Sequence, residues 1–547
     1  MCDILWLTFW AKVIADRFNY MNNQNINDQL EQLISIGISL SSEMNTDLLL
    51  EMILQGAKQI SNADGGTLYR IYGNAIKMEI VHSDSLGIKL GGSSGTPINM
   101  PDIPLFFDDG SPNLQNVVSF SIHNNKTINI VDAYNDQDFD FSGTKAFDRQ
   151  NNYHSKSFLA VPMKNHEGDI IGILQLINSI DKENHGVTGF DDISQHITEA
   201  LASQAAIVLT KQRLIADLEN LFESLIQLIA TAIDDKSPHT GGHCRRVPEL
   251  TMMLAEAAHN TQQGYLKDFA MTDADRYELK IAGWLHDCGK ITTPESVIDK
   301  STKLQTIYDR IGLIETRFEV LKRDQEIAML KQQMLAFQNG EKPDAGIEQR
   351  YLEAVAEIDE DLAFIRQSNT GGEFMSPEDQ NRISSFGQKT WCLNGEQLPL
   401  LSENEIYNLN IARGTLTAEE RGIINHHIVA TIAMLEKITF PKHLKNVPEY
   451  AGGHHEKMDG TGYPKGLRRE DMSIQARAMA IADIFEALTA KDRPYKLGKK
   501  LSEALAILKK MKETHHIDPD LYDAFINQKV YKRYAEQFLD DYQIDVD

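Results

Sequence analysis

Cysteine is scarce: only Cys2, Cys244, Cys288 and Cys392 occur in 547 residues, and no two of them have CxxC spacing. A disulfide framework and a zinc ribbon are therefore not expected, and a reduced, cytoplasmic setting is. Long apolar runs are lacking too. The best, Ile4–Ala15, is too short to span a bilayer, contains Lys12, and follows Asp3 where a signal peptide would carry positive charge. It reads as an ordinary N-terminal helix, with an interfacial or dimer-contact helix as the alternative. Positive charge is in deficit, with 54 Lys and Arg against 79 Asp and Glu, a formal net charge of -25. That balance excludes a protein that coats a nucleic acid polymer or an anionic membrane, though not one that gathers cations around a small anion in a cleft. What remains is 42% hydrophobic and 24% charged, which rules out global disorder and leaves room for two to four folding units.

Turn residues and periodicity divide the chain. A helical pattern over Leu30–Ile60 precedes strand-like pieces at Gly66–Ile71, Ala75–Ser83, Lys126–Val131, Ser157–Lys164 and Ile170–Asn178. Tyr72-Gly73-Asn74 and His166-Glu167-Gly168-Asp169 are turn signals between them, and Gly91–Pro97 reads as a plain loop because no helix follows it. A long helix is expected over Asp191–Ala230. From Leu214 onward the pattern is helical, with no convincing strand, and the charged stretch Thr306–Arg366 reads as a helical hairpin turning near Asn339–Pro343.

The chemistry sits in the second half. His239 and His243, His286, His426 and His427, and His454 and His455 fall in four short windows. A further pair, His515-His516, lacks surrounding pattern and reads as surface. Neighbouring side chains on a helix point about 100° apart, so His286 and Asp287 can serve one pocket only near a helix end or at a centre of two ions. Lys290 lies one turn beyond, and Asp483 interrupts an apolar helical face, where an unpaired carboxylate is costly. A buried salt bridge is the alternative explanation for Asp483. Cys244 and Cys288 flank these positions and read as small buried hydrophobes.

Two resemblances follow from these strings. Ser155–Ser179 (SKSFLAVPMKNHEGDIIGILQLINS) is similar to the central hairpin of a GAF domain, implying an α+β sensor-like unit over about residues 30–212. Cyclic-nucleotide-binding GAF domains carry an Asn-Lys pair, a Phe and an Asp-Glu pair. This chain has Asn178-Ser179, Phe190 and Ser194-Gln195, which puts a cyclic nucleotide in doubt and leaves either an unknown small ligand or a purely dimerising unit. The second resemblance rests on His243, His286-Asp287, His454–Pro464 (HHEKMDGTGYP), Asp483 and Asp492–Lys496 (DRPYK), which together resemble the HD-GYP family of metal-dependent cyclic di-GMP phosphodiesterases.

That resemblance implies an all-α HD-GYP domain over about 235–547, joined to the GAF-like unit by a linker helix at 213–234 and interrupted by a helical insertion at about 301–417. It implies His243, His286, Asp287, His427, His454, His455 and Asp483 as metal ligands, with Asp287 bridging and catalytic. Lys290 corresponds to the lysine near the scissile phosphate, and Arg493 and Lys496 to cationic contacts with the dinucleotide. Gly462 and Tyr463 belong to the GYP element and are expected beside the metals and substrate. His239, four residues before His243, either ligates a third ion or hydrogen-bonds. The implied cofactors are two or three divalent ions, iron or manganese, and the implied reaction is hydrolysis of cyclic di-GMP to pGpG and, with a third ion, to GMP. A homodimer is expected from helix length and domain order. The rival expectations are another HD-superfamily nucleotide phosphohydrolase and a non-catalytic cyclic-dinucleotide-binding signalling protein.

Overall fold

The structure, a computed structural model, describes residues 29–43, 45–236, 242–372, 374–491 and 498–546. The apolar run Ile4–Ala15, Cys2, His239, Arg493 and Lys496 lie outside the described residues. The chain divides into two compact units, residues 1–221 and 222–547.

In the first unit, the single helix expected over Leu30–Ile60 is two: α1 (residues 29–42) and α2 (Thr46–Ser61). The break has a local cause. Asn45 takes extended backbone and its side chain accepts from the amides of Asp47 and Leu48, starting a new helix where the periodicity alone suggested continuation. An antiparallel sheet follows, in the order β3-β2-β1-β7-β6-β5, built from β1 (Ala63–Tyr72), β2 (Ala75–Ser83), β3 (Ile88–Gly91), β5 (Ile128–Ile130), β6 (Phe158–Lys164) and β7 (Ile170–Ile180). Short β4 (Ile103–Pro104) pairs with β2, and β8 (Val187–Thr188) with β7. Strands β1 and β2 meet at the tight turn anticipated at Gly73, and β6 and β7 at the one anticipated at His166–Asp169.

The sheet separates two cores. On one side Leu49, Ile53 and Leu54 of α2 and Leu201 and Ala205 of α5 (Asp192–Lys236) pack on Leu68, Ile80 and Leu174. On the other, Val117 and Val118 of α3 (Val117–Asn124) pack on Tyr69, Phe158 and Ile173. Helix α4 (Ser142–Asn151) completes this unit. Asn178 adopts a left-handed backbone, and its side chain bonds the Lys156 and Ser157 amides and the Tyr153 hydroxyl, so it braces the β6 end.

The second unit is helical. Helices α6 (His243–His259), α7 (Asp273–Leu285), α8 (Glu295–Ile298), α9 (Ile311–Gln338), α10 (Ile347–Asn369), α11 (Pro377–Ser385), α12 (Glu403–Leu409), α13 (Ala418–Leu435), α14 (Val447–Gly452), α15 (Ile474–Thr489), α16 (Leu501–Glu513), α17 (Pro519–Asn527) and α18 (Val530–Phe538) follow in order. Its main core joins Val247 and Leu254 of α6, Ile281 and Leu285 of α7, and Ile481 and Phe485 of α15. The insertion has a core of its own, with Ile314 and Phe318 of α9 against Leu362 and Ile365 of α10, Phe386 and Leu400.

One departure from the expected all-helical pattern stands out. Thr390–Leu393 (β9) and Glu396–Pro399 (β10) form an antiparallel hairpin around Asn394-Gly395, both at positive φ. Asn-Gly between extended pieces is the strongest short hairpin signal. The two strands are only four residues each, and the helical periodicity on either side masks them. Among the described residues, no helix is long and apolar enough to cross a membrane.

Candidate metal centre

Helix α7 opens with a capping box, Thr272 with Asp275, and closes at Leu285, with His286 as its C-cap and Asp287 outside it. The helix end frees the two adjacent side chains from the helical offset, so both reach one place. Helix α6 starts at His243, immediately after Gly242 at φ 82°. It lies so close to α7 that a Cβ on Gly283 would come within 3.0 Å of Pro248. Asp483 projects from the middle of α15, and His427 from α13, which is fixed by a Thr417–Glu420 capping box.

These elements bring two sets of side chains together: His243, His286, Asp287 and Asp483, and His427, His454 and His455. Within the first, His243 Nε2 lies 3.1 Å from Asp287 Oδ2, 3.2 Å from Asp483 Oδ1 and 3.3 Å from His286 Nε2. In the second, His455 Nε2 is 3.1 Å from His427 Nε2. Asp287 faces both. Its Oδ2 is turned to His243, His286 and Lys290, while its Oδ1 lies 3.2 Å from His427 Nε2 without a hydrogen bond.

The imidazoles are oriented by their other nitrogen. Nδ1 of His286, His427 and His454 donates to the carbonyls of Gly283, Ile424 and Ala451, at 2.7, 2.6 and 2.6 Å. Each ring is thereby held in the tautomer that leaves Nε2 with a lone pair. His243 is oriented differently: its Nδ1 lies 2.5 Å from Oε2 of Glu486, whose Oε1 accepts from Arg246 at 2.8 Å. Glu486 was not singled out from the sequence. Its signal was a second acid one turn after Asp483, in the same largely apolar stretch Ala478–Leu488.

A divalent ion fits this donor set. Lone pairs of facing Nε2 atoms repel at 3.1–3.3 Å unless a cation lies between, and ligands about 2.0–2.2 Å from a shared ion sit roughly that far apart. His454 Nε2 is buried with no protein partner. The electrostatics point the same way. Burial would raise Asp483, but hydrogen bonding to His243 and the neighbouring imidazoles hold its carboxyl far below the usual range. Burial likewise opposes ionisation of Asp287, yet Lys290 and His286 keep it ionised. Burial pushes His454 well down and His455 to about 4, leaving both neutral and available as donors.

A cleft of about 190 Å³ opens on this cluster, lined among others by Lys290, Tyr463, Arg246 and Ile424. Lys290 Nζ lies 2.5 Å from Asp287 Oδ2. The Tyr463 ring stacks on His455, centroids 4.9 Å apart at 19°, and burial pushes its phenol up to about 12. Gly462 does not line the cleft. It lets the loop close on itself, for a Cβ there would lie 2.4 Å from the Lys457 nitrogen. The Glu456 carboxylate holds that loop by accepting from the amides of Lys465, Gly466 and Leu467. His426 is exposed on α13 and His515 is exposed beyond α16, and neither joins the cluster. His239, Arg493 and Lys496 lie outside the described residues.

Comparison with known proteins gives two family matches: the GAF domain over residues 45–209 and the HD domain over residues 400–521. The HD match takes in His427, His454, His455 and Asp483. Among curated relatives, a 3′3′-cGAMP-specific phosphodiesterase of Vibrio cholerae is 23% identical over 61% of this chain and 43% of its own length. A probable cyclic di-GMP phosphodiesterase of the same organism is 37% identical over 24% of this chain and 31% of its own. A cyclic di-GMP phosphodiesterase of Pseudomonas aeruginosa is 39% identical over 21% of this chain and 26% of its own. The chain spans less than half the length of these relatives. An antiparallel α/β unit thus lies under the first match and a helical unit under the second, so the chain joins an N-terminal GAF domain to a C-terminal region that carries an HD domain.

Proposed function

We propose that this chain is a metal-dependent phosphodiesterase that hydrolyses cyclic di-GMP to pGpG, and onward to GMP where a third ion is held. One observation carries the reading: the two oxygens of Asp287 face two separate groups of imidazoles, which is the arrangement a carboxylate bridging two cations requires. His243, His286 and Asp483 would hold one ion and His427, His454 and His455 the other, with Asp287 common to both. Nitrogen-rich ligation with carboxylates favours iron or manganese over magnesium. Ions held there supply Lewis acidity to the phosphoryl group and lower the pKa of an attacking water.

The protein's own residues do the rest. Lys290, at the cleft wall beside Asp287, offsets charge that builds on the nonbridging phosphoryl oxygens. Tyr463 stays protonated and offers a ring face at the mouth of the cleft. Cationic contacts from Arg493 and Lys496 belong to the same reading, since a chain of net charge -25 must attract an anionic dinucleotide locally.

The proposal includes a cytoplasmic homodimer regulated through the GAF unit. A cavity of about 220 Å³, bounded by Tyr69, Met78, Phe147 and Phe158, supports a small ligand there. Leu214, Leu218, Leu221, Leu225 and Leu228 are all at least half exposed on α5, at alternating spacings of four and three, which supports a coiled-coil contact with a second copy.

The test is manganese- or iron-loaded protein incubated with cyclic di-GMP, 3′3′-cGAMP and nucleoside triphosphates. Cyclic di-GMP left intact after prolonged incubation refutes the activity. Preference for 3′3′-cGAMP is the second reading, favoured by the name of the Vibrio cholerae relative that aligns over 61% of this chain.

A further inference from the structure

The last turn of α5 carries an acid and a base that reach two different parts of the metal centre. Asp234, buried, accepts from the amides of Gly242 at 3.0 Å and Cys244 at 3.2 Å, the residues on either side of His243. These are amides at the start of α6, which have no partner within their own helix and which Gly242 cannot cap with a side chain. A carboxylate there both satisfies them and complements the positive end of the α6 dipole.

Two residues on, Lys236 does the converse. Its ammonium donates to the carbonyls of Lys290 at 3.3 Å, Ile291 at 2.5 Å and Thr293 at 2.7 Å. These carbonyls belong to the 3-10 turn Cys288–Thr292 and the residue after it, the segment that follows Asp287 and carries Lys290. A cation ringed by three backbone acceptors fixes the path of that turn more firmly than a single bond. The helix end is itself anchored, because Ile226, Ala230 and Ile233 are buried in the same core as Cys244, Val247 and Cys288.

We infer that Asp234 and Lys236 are positioning residues for the proposed metal centre: the end of α5 holds in register the two segments that present His243 and Asp287. Helix α5 runs unbroken from Asp192 to Lys236, so its first part belongs to the first unit and its last turn to the second. A rotation of that last turn would displace both segments at once, and with them the separation of His243 Nε2 and Asp287 Oδ2, now 3.1 Å. The linkage explains how one helix can alter the centre without contributing a ligand to it.

The inference rests on the metal reading given above, and its test separates the two. Cobalt(II) is titrated into the full-length protein and into Lys236→Met, Lys236→Arg and Asp234→Asn, with visible absorption reporting ligand geometry. Amide exchange is followed over residues 242–246 and 288–293, and kcat and KM are measured on cyclic di-GMP. Lys236→Met is expected to bind cobalt about tenfold more weakly, with altered bands. Exchange should be faster in 288–293, and kcat should fall with KM nearly unchanged. Lys236→Arg should restore most of each, and Asp234→Asn should raise exchange mainly in 242–246. A wild-type protein that binds no cobalt overturns the metal reading and this inference together. A cobalt-binding wild type matched by Lys236→Met and Asp234→Asn in spectrum, exchange and kcat overturns the inference alone. So does exchange that rises evenly across the helical core without rescue by arginine, which marks a merely structural role.

Discussion

A Cβ placed on Gly289 would lie 2.0 Å from the carbonyl oxygen of His427. The turn that follows Asp287 and the helix that bears His427 therefore touch backbone to backbone, and the Gly289 amide donates to Thr431 Oγ1 at 2.9 Å across the same contact. This approach lets Oδ1 of Asp287 reach the second imidazole group. Gly289→Ala should force the two segments apart at a cost of about 1–3 kcal/mol. Metal stoichiometry, measured by elemental analysis, should drop well below that of the wild type while most of the helical circular dichroism remains. Full metal content in this variant would show that the close approach is dispensable.

Asp287→Ala removes the one side chain shared by both groups. Turnover of cyclic di-GMP should fall by at least about 10³-fold, since ion-assisted phosphoryl chemistry is worth several kcal/mol. The far-UV signal should persist. Loss of the helical signal together with activity would instead mark the aspartate as part of the scaffold.

Glu486→Gln tests the orientation of His243. The amide can still meet the ring, but it no longer favours the same tautomer, and it leaves Arg246 without its carboxylate. Metal affinity should weaken about 10–100-fold. Affinity equal to wild type in a competition titration would show that His243 is held by other means.

The insertion gives a prediction in pH. Glu405 is buried and bonds Arg317 at 2.7 and 3.1 Å, besides accepting from the Ser402 amide at 2.8 Å. Burial would raise its carboxyl, yet Arg317 and the cap hold it below the ordinary value of 4.5. Between the two values the unfolded chain binds more protons, so the stabilisation is complete above pH 4.5 and is lost as pH falls through the lower one. Glu405→Gln should melt lower at neutral pH, by about 3 kcal/mol for a broken buried pair. Calorimetry should show the gap narrowing on acidification below 4.5, and a gap independent of pH would refute the assignment.

What could be read from the sequence was what local pattern encodes. Ala75–Ser83 alternates and turns at glycine, and the strand occupies those residues. The choice of His427 over His426 rested on Met434-Leu435 falling at the apolar positions of the resembled family, and the structure buries the first and exposes the second. His286 and Asp287 could serve one place only at a helix end or at a centre of two ions, and α7 ends there. The break at Asn45 and the Asn394-Gly395 hairpin carried adequate local signals that the surrounding helical periodicity masked. Glu486, Asp234 and Lys236 are a different matter. An acid on an apolar helix and two charges at a helix end are common, and their meaning depends on which distant backbone or ring they meet.

The insertion returns the chain to its point of departure. The Thr415 hydroxyl donates to the Lys300 carbonyl at 2.8 Å, and the Lys300 ammonium meets Glu420. With entry and exit clasped together, the intervening stretch behaves as an appendage on a closed neck, whose removal costs the parent unit little loop-closure entropy. A change in the length of that appendage is therefore borne at its neck, between Lys300 and Thr415, and not by the helices that carry the histidines.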